Sequence, residues 1–186
     1  AVVAARRGHK VTLLEEEGEL GGNLRAASVP PFKVDFGELV KYYVSQLEKQ
    51  GVLVKLSQKV TSESFDLADS ETVILATGAS PLLPKITGIE RENVVTSLDV
   101  LLGKKRVGTR VIIVGGGMVG CETAEYLSQK GTQVTILEML DKIAADMGPT
   151  LRWRLISRLK QGGVKVLTGV KVTGIRENGV ESIRNG

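Results

Sequence analysis

The residues with the clearest chemical potential are Gly115-Gly116-Gly117-Met118-Val119-Gly120 and, 18 residues beyond Gly120, Glu138. A G-x-G-x-x-G spacing arises by chance in many loops, and it carries weight only where it leaves a strand and opens a helix. Both conditions hold here. Arg110-Val111-Ile112-Ile113-Val114 is a buried-strand run, and a helical stretch extends from the loop through Lys130. In that setting Gly115 permits a tight turn, Gly117 lets backbone approach a pyrophosphate, and Gly120 allows close helix and strand packing. The helix N-terminus attracts the phosphate charge. Glu138 ends the next strand, where a carboxylate accepts hydrogen bonds from the adenosine ribose. The plainer alternative is a glycine-rich turn followed by a solvent-facing glutamate. With Gly116, Met118 and Val119 completing the loop, the expectation is a site for NAD(H). A carboxylate at 138 would face the 2′-phosphate of NADP with like charge. Met139-Leu140-Asp141-Lys142 offers one lysine and no arginine to neutralise that phosphate, so NAD is favoured.

Composition supports a nucleotide-binding α/β protein. The 186 residues amount to one or two domains, 42% hydrophobic and 25% charged. Twenty-two glycines make up about 12% of the chain, where about 7% is usual, so tight turns and close backbone approach are in demand. The net charge of +4 is interspersed and aromatics are only 4%, which argues against a nucleic-acid surface. Cys121, the single cysteine, cannot make an internal disulfide, a C-x-x-C pair or a metal cluster alone. With no apolar run near the length of a membrane span and no signal peptide, a membrane role is not expected and a cytoplasmic location is.

An internal repeat supplies the supporting elements. Gly8-His9-Lys10-Val11-Thr12-Leu13-Leu14-Glu15 aligns with Gly131-Thr132-Gln133-Val134-Thr135-Ile136-Leu137-Glu138 at an offset of 123. Leu47-Glu48-Lys49-Gln50-Gly51-Val52-Leu53-Val54 aligns with Leu159-Lys160-Gln161-Gly162-Gly163-Val164-Lys165-Val166 at an offset of 112. Two βαβ units therefore lie in tandem. At the first offset, the glycine loop of the first unit would precede Ala1, and Ala1-Val2-Val3-Ala4-Ala5-Arg6-Arg7-Gly8 reads as the last turns of a helix closed by glycine. Asn178-Gly179 reads as a hairpin turn and Arg184-Asn185-Gly186 as the next one. The chain is thus expected to be a piece of a longer protein.

The whole pattern resembles the flavoproteins with two dinucleotide-binding domains, in which an NAD domain is inserted into an FAD domain. The resemblance rests on Glu15, on Glu19-Leu20-Gly21-Gly22-Asn23-Leu24, on Thr72-Val73-Ile74-Leu75-Ala76-Thr77-Gly78-Ala79, on the glycine loop and Glu138, and on residues 146–163. Gly21-Gly22-Asn23-Leu24 running into Pro30-Pro31-Phe32 and a helix over residues 36–50 is most similar to the NADH:flavin oxidoreductases of the 2,4-dienoyl-CoA reductase and enoate reductase type.

The resemblance implies an α/β fold of tandem Rossmann-like FAD/NAD(P)-binding units, the second ending in an antiparallel β-meander. It implies a partial FAD-binding domain over 1–106 and an NAD-binding domain over 107–186. Glu15 would hold the ribose of FAD, Gly21, Gly22 and Asn23 would pass near the flavin and its pyrophosphate, and Val60 would touch adenine through its backbone. Ala76, Thr77 and Gly78 would lie against the same cofactor, although a βαβ reading alone makes them a strand end with a turn glycine. Glu122 matches an acid placed beside the nicotinamide, or is simply a glutamate favoured in a first helical turn. FMN and an iron–sulfur cluster would belong to an N-terminal barrel outside this chain. Without the FAD glycine loop and the segment that completes that site, the chain is expected neither to hold FAD nor to turn over.

Other conspicuous residues suggest less. Cys121 fits small-residue packing beside Gly120, and His9 follows a helix-ending glycine in a surface loop. Leu151, Leu155, Ile156 and Leu159 share a face of a helix over 150–161, with Trp153 at its margin and a basic face opposite. The leading expectation is an enzyme piece that takes hydride from NADH. An NAD-sensing module would need no second nucleotide site, and a dithiol reductase would need a cysteine pair this chain lacks.

Overall fold

The computed structural model describes residues 1–64 and 70–184, arranged as two compact units, Ala1–Ser80 and Pro81–Gly186. In the first, α1 (Val2–Arg6) leads to β1 (Thr12–Leu14), α2 (Asn23–Ala27), a 3-10 turn (Pro31–Lys33), α3 (Asp35–Lys49) and β2 (Leu53–Lys55). β1 and β2 pair in parallel, Thr12 opposite Leu53 and Leu14 opposite Lys55. Asp35 and Glu38 in the first turn of α3 and Lys49 in its last complement the helix dipole. Leu47 is the buried residue of α3, and Ala26 and Val52 of this unit are buried as well.

The second unit holds α4 (Ser97–Leu101), β3 (Arg110–Val114), α5 (Met118–Gln129), β4 (Gln133–Leu137), α6 (Pro149–Gln161) and β5 (Lys165–Leu167). The three strands form a parallel sheet in the order β3-β4-β5, each crossover made by a helix as parallel pairing requires. Ile136, Leu155, Leu159, Cys121 and Ala124 are almost wholly buried between sheet and helices. Glu125 of α5 is 1% exposed and accepts from Arg158 of α6, from Nε at 2.5 Å and from a terminal nitrogen at 3.2 Å. The unit continues into the antiparallel pair β6 (Val170–Arg176) and β7 (Gly179–Arg184), with Arg176 paired to Gly179, so the hairpin turns through Glu177-Asn178, one residue earlier than the Asn178-Gly179 turn the sequence suggests. The next expected turn, at Asn185-Gly186, lies outside the described residues.

The repeat is visible in how its helices end. Gly8, Gly51, Gly131 and Gly163 all have positive φ, and each is followed by a residue whose N–H reaches back to the helix: His9 to Ala4, Val52 to Leu47, Thr132 to Leu127 and Val164 to Leu159. This closure satisfies carbonyls that a helix end otherwise leaves unpaired, and glycine adopts it without a Cβ penalty.

One further feature differs from the sequence reading. Thr72-Val73-Ile74-Leu75 pairs with no strand among the described residues, and Ile74 and Leu75 are 75% and 80% exposed. Its residue types suit a strand, but a strand exists only where a neighbour supplies ladder partners. Residues 86–93 pack within the second unit. Ile86 joins Leu137, Val170 and Val172 in one apolar cluster, the Ile175 N–H donates to the Thr87 carbonyl at 2.8 Å, and Asn93 Nδ2 donates to the carbonyls of Arg176 and Glu177.

Candidate functional site

β3 delivers the chain into the glycine loop at the C-terminal edge of the parallel sheet, where ligands of open α/β sheets bind. Gly115 turns with φ +100 and donates to the Leu137 carbonyl at the end of β4. A Cβ on Gly120 would overlap the Gly115 carbonyl oxygen and stand 3.4 Å from Ile113 Cγ2, so the first turn of α5 closes on the loop and β3 only with glycine there. A Cβ on Gly116 would come within 2.6 Å of Ile143 Cγ2. Gly117 caps α5 with an extended backbone, and a Cβ there would meet only the Asp146 carboxylate, at 3.5 and 4.0 Å. The loop therefore presents backbone, not side chain, toward the N-terminus of α5. Met118 and Val119 are exposed at that edge, and Glu122 is half-buried one turn further in.

Glu138, 8% exposed, is held by the loop it serves. Its Oε2 accepts from the Gly116 N–H at 2.6 Å and its Oε1 from the Leu140 N–H at 2.7 Å. Each carboxylate oxygen can accept more than one hydrogen bond, so a ribose hydroxyl can still be received by a side chain already fixed in place. A cavity of about 130 Å³ opens here, lined among others by Gly117, Glu138, Lys142 and Asp146. A larger one of about 540 Å³ lies at the opposite end of the strands, against Gly131 and Gly163, far from the loop along the sheet.

Asp146 is the site residue the sequence reading did not single out for a role. Both of its oxygens accept from the Met118 N–H, at 3.0 and 3.1 Å, so an anion already sits on the N-terminus of α5. Its loop is pinned by Ile143 and Ala144, both buried, by the Ala144 N–H donating to the Gly116 carbonyl at 2.6 Å, and by Arg152 Nε donating to the Ile143 carbonyl at 2.8 Å. An aspartate shortly before Gly148-Pro149 reads locally as a cap for the helix that follows; it caps the preceding helix instead.

Cys121 is fully buried and its Sγ donates to the Gly116 carbonyl at 3.2 Å. Desolvation by burial pushes its thiol up to about 11, so it is protonated at neutral pH and serves packing beneath the loop.

The first unit repeats part of this arrangement. Glu15 Oε1 accepts from the N–H two residues on, Glu17, at 3.0 Å, as Glu138 does from Leu140. The Glu15 N–H donates to Lys55 at the end of β2 as that of Glu138 donates to Leu167 at the end of β5. Gly21 and Gly22 have φ of +120 and +48. Asn23 Nδ2 donates to the Ala79 carbonyl at 2.9 Å, which brings the Gly21-Gly22-Asn23 turn beside the segment containing Ala76, Thr77 and Gly78. Val60 is exposed in the loop after β2. A helix long and apolar enough to cross a membrane is absent among the described residues.

Comparison with known proteins agrees with the resemblance drawn from the motifs. The family described as pyridine nucleotide-disulphide oxidoreductase matches residues 1–185. An NADH oxidase of Thermoanaerobacter brockii is 40% identical over 98% of this chain and 29% of its own length. A cinnamate reductase of Clostridium sporogenes is 48% identical over 80% of this chain and 22% of its own. The solved structure of a 2-naphthoyl-CoA reductase superposes with a TM-score of 0.93 at 32% identity, covering 99% of this chain and 28% of that one. The chain thus spans under a third of the length of each of these relatives.

Proposed function

We propose, from the premise that the chain belongs to the pyridine nucleotide-disulphide oxidoreductase family, that its second unit holds NADH and its first forms part of an FAD site. The observation that carries this reading is the Gly116–Glu138 arrangement. A strand, a glycine loop, a helix N-terminus and a fixed carboxylate at the next strand end together match what an ADP-ribose moiety requires. Gly115, Gly116, Gly117 and Gly120 shape the loop, backbone N–H groups at the start of α5 receive the pyrophosphate, and Glu138 receives the ribose. Met118, Val119 and Glu122 border the nicotinamide end. Glu15, Gly21, Gly22, Asn23, Val60, Ala76, Thr77 and Gly78 serve FAD, and the division of roles falls near residue 106.

The two cofactors supply hydride transfer from nicotinamide to flavin, while the protein's part is orientation and exclusion of water. The destination proposed for the electrons is an activated carbon–carbon double bond, with FMN and an iron–sulfur cluster, held outside this chain, as the groups that would supply the relay. The similarity to proteins named cinnamate reductase and 2-naphthoyl-CoA reductase supports that destination. A tandem unit that repeats the Glu138 geometry at Glu15 favours this over an NAD sensor. A single buried thiol, pushed up to about 11, favours it over exit through a dithiol, and suits a cytoplasmic enzyme.

The test is anaerobic addition of NADH to the full-length holoprotein. The flavin absorbance should bleach, and Cys121→Ala should bleach within about twofold of the wild-type rate, since a buried neutral thiol takes no part in the transfer. A flavin that stays oxidised while NADH binds sinks the reading. A folded Cys121→Ala protein that takes up two fewer electrons than wild type in a reductive titration returns the dithiol route.

A further inference from the structure

We infer that Asp146 is an internal competitor for the dinucleotide, a carboxylate parked where the pyrophosphate must go, which sets the affinity of the site. The inference rests on the reading of the second unit as an NADH site. Three observations converge on it. Both Asp146 oxygens take the Met118 N–H, a donor at the head of α5 that a pyrophosphate would use. The same oxygens fill the space in front of Gly117, at 3.5 and 4.0 Å from where a Cβ would stand, which is the space glycine is there to keep open. Asp146 also lines the cavity it shares with Glu138 and Lys142.

A pyrophosphate and a carboxylate cannot share one N–H and one volume, and at such separations their like charges repel. The Asp146 side chain must therefore swing away when the dinucleotide enters. The backbone beside it has little freedom to follow, since Ile143 and Ala144 are buried and the Ala144 N–H is tied to the Gly116 carbonyl. The movement is confined to the side chain, and its cost is charged against every ligand that brings a phosphate to α5. A ligand without phosphate escapes that cost.

Asp146→Asn keeps the shape and one accepting oxygen but removes the charge. In the full-length protein, calorimetric titration should show ADP-ribose and NADH binding about tenfold more tightly to Asp146→Asn than to wild type, with adenosine unchanged and the gap narrowing as salt is raised. Asp146→Ser, which can also cap the helix, should shift in the same direction. In wild type, the Met118 amide NMR signal should move on addition of ADP-ribose and stay in place with adenosine. Equal or weaker ADP-ribose binding in the folded variants overturns the role of Asp146 while leaving the NADH site intact. Failure of wild type itself to bind ADP-ribose overturns both.

Discussion

Gly120→Ala should abolish binding of NADH, weakening it by at least about a hundredfold, and should destabilise the protein by about 1–3 kcal/mol. The new methyl would overlap the Gly115 carbonyl oxygen, 2.1 Å away. That atom belongs to the backbone of the tightest turn in the loop, so it cannot rotate aside as a flexible side chain would. Either the first turn of α5 lifts off β3 or the turn at Gly115 opens, and each displaces the N–H groups aimed at the pyrophosphate. Gly117→Ala is the informative companion. Its methyl would stand 3.5 Å from an Asp146 oxygen, an ordinary contact, so stability should hardly change, yet it would occupy the volume of the phosphate and binding should fall as steeply. Thermal denaturation and NADH titration on both variants separate a broken loop from a blocked one. Tight NADH binding by folded Gly117→Ala would mean that the pyrophosphate does not cross the front of this loop.

Arg158→Met should be the more damaging half of the ion pair that joins half-exposed Arg158 of α6 to buried Glu125 of α5. Glu125 is 1% exposed, and without Arg158 its charge would lose the partner that compensates it. We expect a loss of about 3 kcal/mol, read as an earlier urea midpoint. Glu125→Leu should cost less, because the Arg158 side chain is 43% exposed and can turn its guanidinium into water. Combining the two substitutions should recover most of the stability, as replacing a buried ion pair with apolar residues often does. A double variant as unstable as the sum of the singles would show no coupling between the two side chains and would contradict the compensation argued here.

Much of the fold was legible because local chemistry and global topology agree. The β-branched run Val111-Ile112-Ile113-Val114, three successive glycines and a helical stretch name β3, the loop and α5. The C′ glycines Gly8 and Gly131, and Gly51 and Gly163, mark the repeat and close the same helices in both units. Its place beside Gly120 in the sequence suits Cys121 to a packing role, and its burial agrees. Asp146 was illegible for a physical reason: its partner, Met118, lies 28 residues away, and nothing in the local sequence distinguishes a cap for the helix ahead from a cap for the helix behind. The packing of residues 86–93 on the β6-β7 hairpin was likewise hidden, since it depends on the Asn93 side chain donating to the distant carbonyls of Arg176 and Glu177, which leaves no composition signal. Thr72-Val73-Ile74-Leu75 shows the converse, strand propensity without a partner strand among the described residues.

The central claim is that the loop from Gly115 to Gly120, with Glu138, reads an adenosine ribose bearing free hydroxyls. Titration of the protein with NADH and with NADPH, repeated on Glu138→Ala, addresses it most directly. The Gly116 and Leu140 N–H groups lose their acceptor in that variant, so both affinities will fall, and the ratio between them is the quantity to read. Wild type should prefer NADH by at least about tenfold, the size of a like-charge clash at a partly buried site, and Glu138→Ala should bring the two affinities close together. Equal affinities in wild type, or an undiminished preference in the folded variant, would contradict the account.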